Sequence, residues 1–196
     1  MQAKHIGILG GSFDPIHFGH LRTALELVEQ VGMDQLLLVP CGQPPHKSAL
    51  YATATDRLHM AQLAVAGDAR LSADSRECQR PGPSYTVETL EALRQQVGDD
   101  TALSLCVGVD AFVHLSSWHR WREIIALAHI VVTSRPGWRV PAQLGELECW
   151  RERIIDSPAG LADSQCGKLF FVSLTPMDVS ATGIRKLASD GRSARY

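Results

Sequence analysis

Three features of the sequence predict an α/β fold built on a doubly wound parallel sheet. Apolar runs of strand length alternate with stretches of helical periodicity along almost the whole chain. The strand-like runs are continuously apolar rather than alternating, as in QLLLV at 35–39 and HIVVT at 129–133, which fits strands covered on both faces. Polar and glycine-rich segments gather directly after these runs, where open α/β sheets bind ligands outside the carboxyl ends of their strands. The expected architecture is a sheet of about five to six strands with helices on both faces. The chain reads as one domain over residues 1–196.

The elements follow in order. The first strand is IGIL at 6–9, an apolar run with one small residue. A helix opens at about Gly19-His20; Leu21, Ala24, Leu25, Val28 and Val31 give it one apolar face, and Gly32 is its C′ residue. The second strand is 35–39. A Pro/Gly-rich loop runs from Pro40 to Ala54, and Thr53-x-x-Asp56 resembles a capping box opening a helix to about Ala66. Leu58, Ala61, Gln62 and Val65 fall on one face of that helix. Arg70 to Ala73 is a weak third strand. Ser84 or Thr86 caps a helix to about Val97. Thr101 to Val107 is the fourth strand, Ser117 to Leu127 a helix, and 129–133 the fifth strand. Pro136 to Gly167 is an irregular excursion with a short helix. Leu169 to Leu174 is the sixth strand and Ser180 to Ser189 the last helix. The fold is Rossmann-like in this sense.

Composition narrows the class. The formal net charge of −2 gives no case for general nucleic-acid binding. The five cysteines contain no C-x-x-C, so neither a disulfide framework nor a zinc knuckle is indicated, and a reduced cytoplasm is the expected compartment. No signal peptide or membrane-length apolar run is visible. Homo-oligomer formation is left open.

The segment IGILGGSFDPIHFGHL, residues 6–21, organises the chain. A buried strand, a tight glycine turn and a helix start make an anion site, with backbone N–H groups and the helix dipole facing the ligand. Gly10, Gly11, Ser12 and Phe13 form the turn, and His17 and His20 stand at the helix start as donors to phosphate oxygens. The glycine spacing fits neither G-x-G-x-x-G nor a P-loop. A zinc site at His17 and His20 lacks a third ligand nearby. At the other end, Ser180, Thr182 and Arg185 frame a second helix start that suits an anion. Lys47, in PPHK, offers a point charge from the loop after the second strand. Ser84, Tyr85 and Thr86 precede a third helix start, where free N–H groups favour a carboxylate over an amide. Trp118 offers a ring face to a planar heteroaromatic ligand, whereas Trp121 is read as core.

G-G-S-F-D-P followed by H-x-G-H resembles the signature of the HxGH nucleotidyltransferase superfamily, and VSATGIR at 179–185 resembles its I-S-S-T-x-I-R motif with Val for Ile and Ala for the second Ser. PPHK, GPSYT and GVD with WHRW narrow the resemblance to bacterial nicotinate-nucleotide adenylyltransferases over nearly the whole chain. The resemblance implies adenylyl transfer from ATP, accompanied by Mg²⁺, to nicotinate mononucleotide in NAD biosynthesis. It implies triphosphate contacts for His17, His20 and Arg185, and a nicotinate site at Ser84–Thr86 and Trp118. Asp110, following Gly108, would hold the adenosine ribose. Arg135, in SRPG, matches a family segment but receives no role. The family usually runs a short segment past the equivalent of Tyr196, so this chain reads as a short or truncated member. Rival readings are transfer to nicotinamide mononucleotide or phosphopantetheine, a non-catalytic nucleotide-binding protein, and a nicotinamide-dependent oxidoreductase.

Overall fold

The structure, a computed structural model, describes residues 5–45, 50–134, 136–138, 140–141 and 143–194. Seven parallel strands form one sheet: β1 (His5–Gly11), β2 (Gln35–Pro40), β3 (Leu71–Ala73), β4 (Ala102–Gly108), β5 (His129–Ser134), β6 (Ile154–Ile155) and β7 (Leu169–Ser173). Their order is β3-β2-β1-β4-β5-β7-β6, so the chain reverses its direction of growth between β1 and β4. Six strands lie where the sequence predicts them. The seventh, β6, corrects the expected count. It is two residues long and pairs Ile154 and Ile155 with Leu169 and Phe170, too short to carry a periodic signal.

The helices are α1 (Phe18–Val31), α2 (Ala54–Val65), α3 (Arg76–Gln79), α4 (Thr86–Val97), α5 (Val109–Phe112), α6 (Trp121–Leu127) and α7 (Ala181–Ser189). Alternate strand residues divide the core. Leu103, Leu105, Val107, Ile130 and Val132 pack under α4 and α6, and Trp121 meets Trp150 of the 3₁₀ segment Gly145–Arg153 in the same layer. Cys106, Val131, Phe170 and Val172 face the opposite layer, which α1 fills with Ala24, Leu27, Val28 and Val31. Gly7, the small residue inside the apolar run of β1, is explained here: a Cβ on it would come 2.4 Å from Met33 Sδ. Gly32 ends α1 at φ 75°, the left-handed conformation expected of a C′ glycine.

Four local expectations are corrected. The buried face of α2 is Arg57, Ala61 and Val65; Gln62 is exposed and Leu58 half-buried. Tyr85, rather than Ser84 or Thr86, is the N-cap of α4, and it makes no side-chain capping bond. The helix expected from Ser117 starts at Trp121, because Leu115–Ser117 form a 3₁₀ turn and Arg120 is left-handed at φ 51°. The irregular 136–167 stretch holds two 3₁₀ segments, Gly145–Arg153 and Pro158–Asp163, where one short helix was expected. Among the described residues no helix is long and apolar enough to cross a membrane.

Candidate active site

The turn after β1 is built from the inside outward. Phe13 is buried with φ 45°, a conformation uncommon for a side chain of its size. Its ring lies beneath Gly11, where a Cβ would meet ring atoms at 3.0 Å. Asp14, also buried, accepts from the N–H of Tyr51 at 2.8 Å and of Ala52 at 3.0 Å. These contacts clip the far end of the loop after β2 onto the glycine turn.

His17 is the N-cap of α1, and its backbone N–H donates to His20 Nδ1 at 3.2 Å. A ring nitrogen that accepts carries no proton, so neutral His20 holds its proton on Nε2 as a donor. The two rings stack with centroids 3.8 Å apart, and the Phe13 ring meets His20 edge-on at 5.0 Å. Burial, and then the neighbouring His17, push the His20 pKa down to about 4. Burial lowers that of His17 as well. At neutral pH the free pair is therefore a set of neutral donors.

A cavity of about 300 Å³ brings His17 and His20 together with Gly108 and Asp110 across the β1/β4 switch point. It has the place and the donors for a nucleoside. A second cavity of about 400 Å³ is lined by Gly10, Gly11, Ser12, Ser84, Thr86 and Trp118. A third, of about 210 Å³, lies between Pro44, Pro45, Tyr85, Trp118 and His119, and it shares Ser84, Thr86 and Trp118 with the second. The first intrahelical bond of α4 is Thr89 N–H to Tyr85 O at 3.3 Å, so the N–H groups of residues 86–88 have no helical partner. Trp118 is half-buried, with one side against the core, while Trp121 is fully in it.

Ser84 sits at this junction with its polar groups already engaged. Its N–H donates to Gln43 O at 2.8 Å and its Oγ accepts from Gly42 N–H at 2.9 Å, beside the Glu77 carboxylate. Ser84 therefore shapes the cavity, and the N–H groups that follow it are the ones open to a ligand. Glu77 accepts from Thr89 Oγ1 at 2.7 Å, and burial raises its pKa.

At the start of α7, Ser180 Oγ caps Gly183 N–H at 3.1 Å. Thr182 Oγ1 accepts from Arg185 Nη2 at 3.1 Å, and Arg185 Nη1 donates to Asp14 O. The guanidinium lies over the Tyr51 ring, 4.5 Å from its centroid. Both hydroxyls keep a proton for an anion. Arg185 is thus docked on the glycine turn, while Ser180, Thr182 and Arg185 are outside the lining of the three cavities. Lys47, Arg135 and Tyr196 lie outside the described residues.

Sequence reasoning quoted Asp14 and His119 inside the G-G-S-F-D-P and W-H-R-W motifs without giving either a role, and it missed Arg57 and Glu77, which belong to no motif. The ring of His119 packs on Tyr85 with centroids 4.4 Å apart. Thr133, Thr175 and Met177 line the nucleoside-sized cavity and carry no spacing signal either. Among the described residues no group of three or more His, Cys, Asp or Glu is placed to hold a metal ion.

A strand–turn–histidine site at the switch point of a parallel sheet defines a class, and the family model described as Cytidylyltransferase-like matches residues 8–187. The relatives are more specific. A protein of Pseudomonas putida (strain W619) is 46% identical over 195 residues, covering 98% of this chain and 88% of its own. One from Dechloromonas aromatica is 45% identical over 200 residues, covering 100% and 91%. Both carry the name "Probable nicotinate-nucleotide adenylyltransferase". The chain belongs to the nicotinate-nucleotide adenylyltransferase family. The fold is also that of the Plasmodium falciparum nicotinic acid mononucleotide adenylyltransferase complexed with NaAD. That structure superposes with a TM-score of 0.70 at 14% identity over 97% of this chain and 86% of its own.

Proposed function

We propose that this chain transfers the adenylyl group of ATP to nicotinate mononucleotide, giving nicotinate adenine dinucleotide and pyrophosphate in NAD biosynthesis. The observation that carries the reading is the shared wall of the cavities. Thr86, at an N–H-rich helix start suited to a carboxylate, borders the cleft that also contains Gly10, Gly11 and Ser12. The family's shared name and the fold's likeness to an enzyme complexed with NaAD support the same substrates.

The reaction needs no protein nucleophile. The phosphate of nicotinate mononucleotide is largely dianionic at neutral pH, with a second pKa of about 6. One of its oxygens bonds to the α-phosphorus of ATP as the bond from that phosphorus to the bridging oxygen breaks, and pyrophosphate leaves. The protein aligns the two phosphates and neutralises the charge that moves onto pyrophosphate. In this reading His20 Nε2–H and His17 donate to the triphosphate, and the turn at Gly10–Phe13 contributes backbone N–H groups. Asp110 accepts from the ribose hydroxyls. Ser180, Thr182 and Arg185 meet the leaving phosphates, with Arg185 exchanging its Asp14 contact for them. Lys47, from the loop between Pro45 and the Asp14 clip, is assigned to the acceptor's phosphate. Trp118 stacks on the pyridine ring, and the N–H groups at Thr86 and after it hold the carboxylate. Mg²⁺ would come with ATP and would help neutralise the charge on its phosphates beside His17, His20 and Arg185. We also read the chain as a single domain of a reducing cytoplasm, in keeping with the absence of a disulfide at Cys41, Cys78, Cys106, Cys149 and Cys166.

The test is pyrophosphate release with Mg-ATP and, in parallel, nicotinate mononucleotide, nicotinamide mononucleotide or phosphopantetheine. Release far faster with the nicotinate substrate is expected. Equal release with the amide would overturn the carboxylate role of α4. Release with none, in protein that binds ATP, would reduce the chain to a nucleotide-binding protein.

A further inference from the structure

Arg57 is 1% exposed, and its hydrogen bonds go to three backbone carbonyls and one cysteine sulfur. Its Nη1 donates to Ser12 O at 2.8 Å and to Cys41 Sγ at 3.6 Å. Its Nη2 donates to Gly42 O at 3.0 Å and its Nε to Ala52 O at 3.3 Å. Among the described residues no carboxylate forms an ion pair with it. A buried guanidinium without a counter-charge is costly unless its donors are met, and here the acceptors come from the loop after β1 and from both ends of the loop after β2.

Those three segments belong to the candidate site. Ser12 is in the glycine turn, Gly42 begins the segment leading to Pro44 and Pro45, and Ala52 is in the clip held by Asp14. In a trans peptide the carbonyl and the following N–H point in opposite directions. Drawing Ser12 O onto Arg57 therefore turns the N–H of Phe13 away from it. Drawing Gly42 O does the same to the N–H of Gln43. Ser12 and Pro44 both line the 400 Å³ cleft, and Arg57 does not.

We infer that Arg57 is a positioning residue for phosphate binding. It sets the peptide planes of the glycine turn from behind, fixes the 41–43 segment through Gly42 O, and places one buried positive charge under an anion site. The inference rests on the reading of this turn as the triphosphate site, and not on which acceptor receives the adenylyl group. Lysine cannot replace this fork, because one ammonium does not span three carbonyls placed around a planar guanidinium.

The test compares Arg57→Lys and Arg57→Met with the unaltered chain. ATP binding is measured by calorimetry with Mg²⁺ and no acceptor, alongside the KM for ATP in pyrophosphate release. Both variants should lose thermal stability. In Arg57→Lys, at a temperature where it is fully folded by circular dichroism, ATP should bind at least about ten-fold more weakly. The ATP-induced shift of the Phe13 amide resonance should also shrink. Affinity within about two-fold of the unaltered chain, with the Phe13 shift retained, would overturn the proposal and leave Arg57 a packing residue. Arg57-dependent ATP binding in a chain that adenylates no nicotinate mononucleotide would uphold this inference while sinking the proposed function.

Discussion

The backbone N–H of His17 donates to the ring of His20 at 3.2 Å while the two imidazoles stack 3.8 Å apart. The contact fixes the tautomer of one ring by the main chain of the other. It also makes the double cation unfavourable, which leaves neutral donors at the helix start until an anion arrives.

A pH dependence of stability follows. His20 and the buried His5, which bonds Ser104 Oγ at 2.7 Å, both titrate at about 4 instead of 6.5, chiefly through burial. Between those values the unfolded chain binds more protons than the folded one, so stability rises with pH through this window. It is complete above about 6.5 and is lost as the pH falls toward about 4. Each group contributes at most roughly 3 kcal/mol of this slope. Glu77, raised by burial, works in the opposite direction. Melting temperature should drop clearly between about pH 7.5 and pH 5. A flat profile would refute the buried neutral histidines.

His20→Ala should abolish turnover and leave the fold intact. The ring is half-buried at the end of a helix whose core face, Ala24, Leu27, Val28 and Val31, is untouched by the change. Turnover should fall by about a hundred-fold or more, the scale of losing one oriented donor to transition-state charge. A near-normal rate in folded protein would remove His20 from phosphate binding.

The parts of this molecule written in runs and motifs were legible in the sequence. Six strands, the histidine turn, the Ser180 cap and the switch-point location were read from local pattern. What escaped was set by long-range contact. Arg57 falls on the apolar face of α2 by spacing, but a charged residue there reads as solvent-facing until the carbonyls of Ser12 and Gly42 are seen around it. Ser84 reads as a helix cap until the N–H of Gly42 is seen to claim its oxygen. The pair β6–β7 is a pairing of two residues with no period to detect.

Trp118→Ala should raise the KM for nicotinate mononucleotide more than that for ATP. Trp118 borders the 210 Å³ and 400 Å³ cavities but is not part of the 300 Å³ cavity at His17 and Asp110. Loss of one stacking face is worth about 1 kcal/mol or somewhat more, a shift of about ten-fold in one KM. Equal changes in both would mean that the ring acts through packing of the core it adjoins.

Gly42 makes the last prediction, and it separates the anchoring of the acceptor loop from its chemistry. A Cβ at this position would lie 2.1 Å from the backbone oxygen of Glu77, a contact that no side-chain rotation relieves. The same residue donates its N–H to Ser84 Oγ and gives its carbonyl to Arg57. Gly42→Ala must therefore push the loop off α3 and strain both bonds at once. Two hydrogen bonds at about 1 kcal/mol each, one of them to a charge, plus the displaced backbone, put the loss of stability at roughly 2–4 kcal/mol. Pro44 and Pro45, two and three residues on, wall the 210 Å³ cavity beside Trp118, so on the proposed reading the KM for nicotinate mononucleotide should rise in the folded variant. Denaturant titration and acceptor kinetics on Gly42→Ala measure the two effects separately. A variant as stable as the unaltered chain would refute the close approach of Gly42 to Glu77. A destabilised variant with an unchanged acceptor KM would show that the wall at Pro44 is held by something other than Gly42.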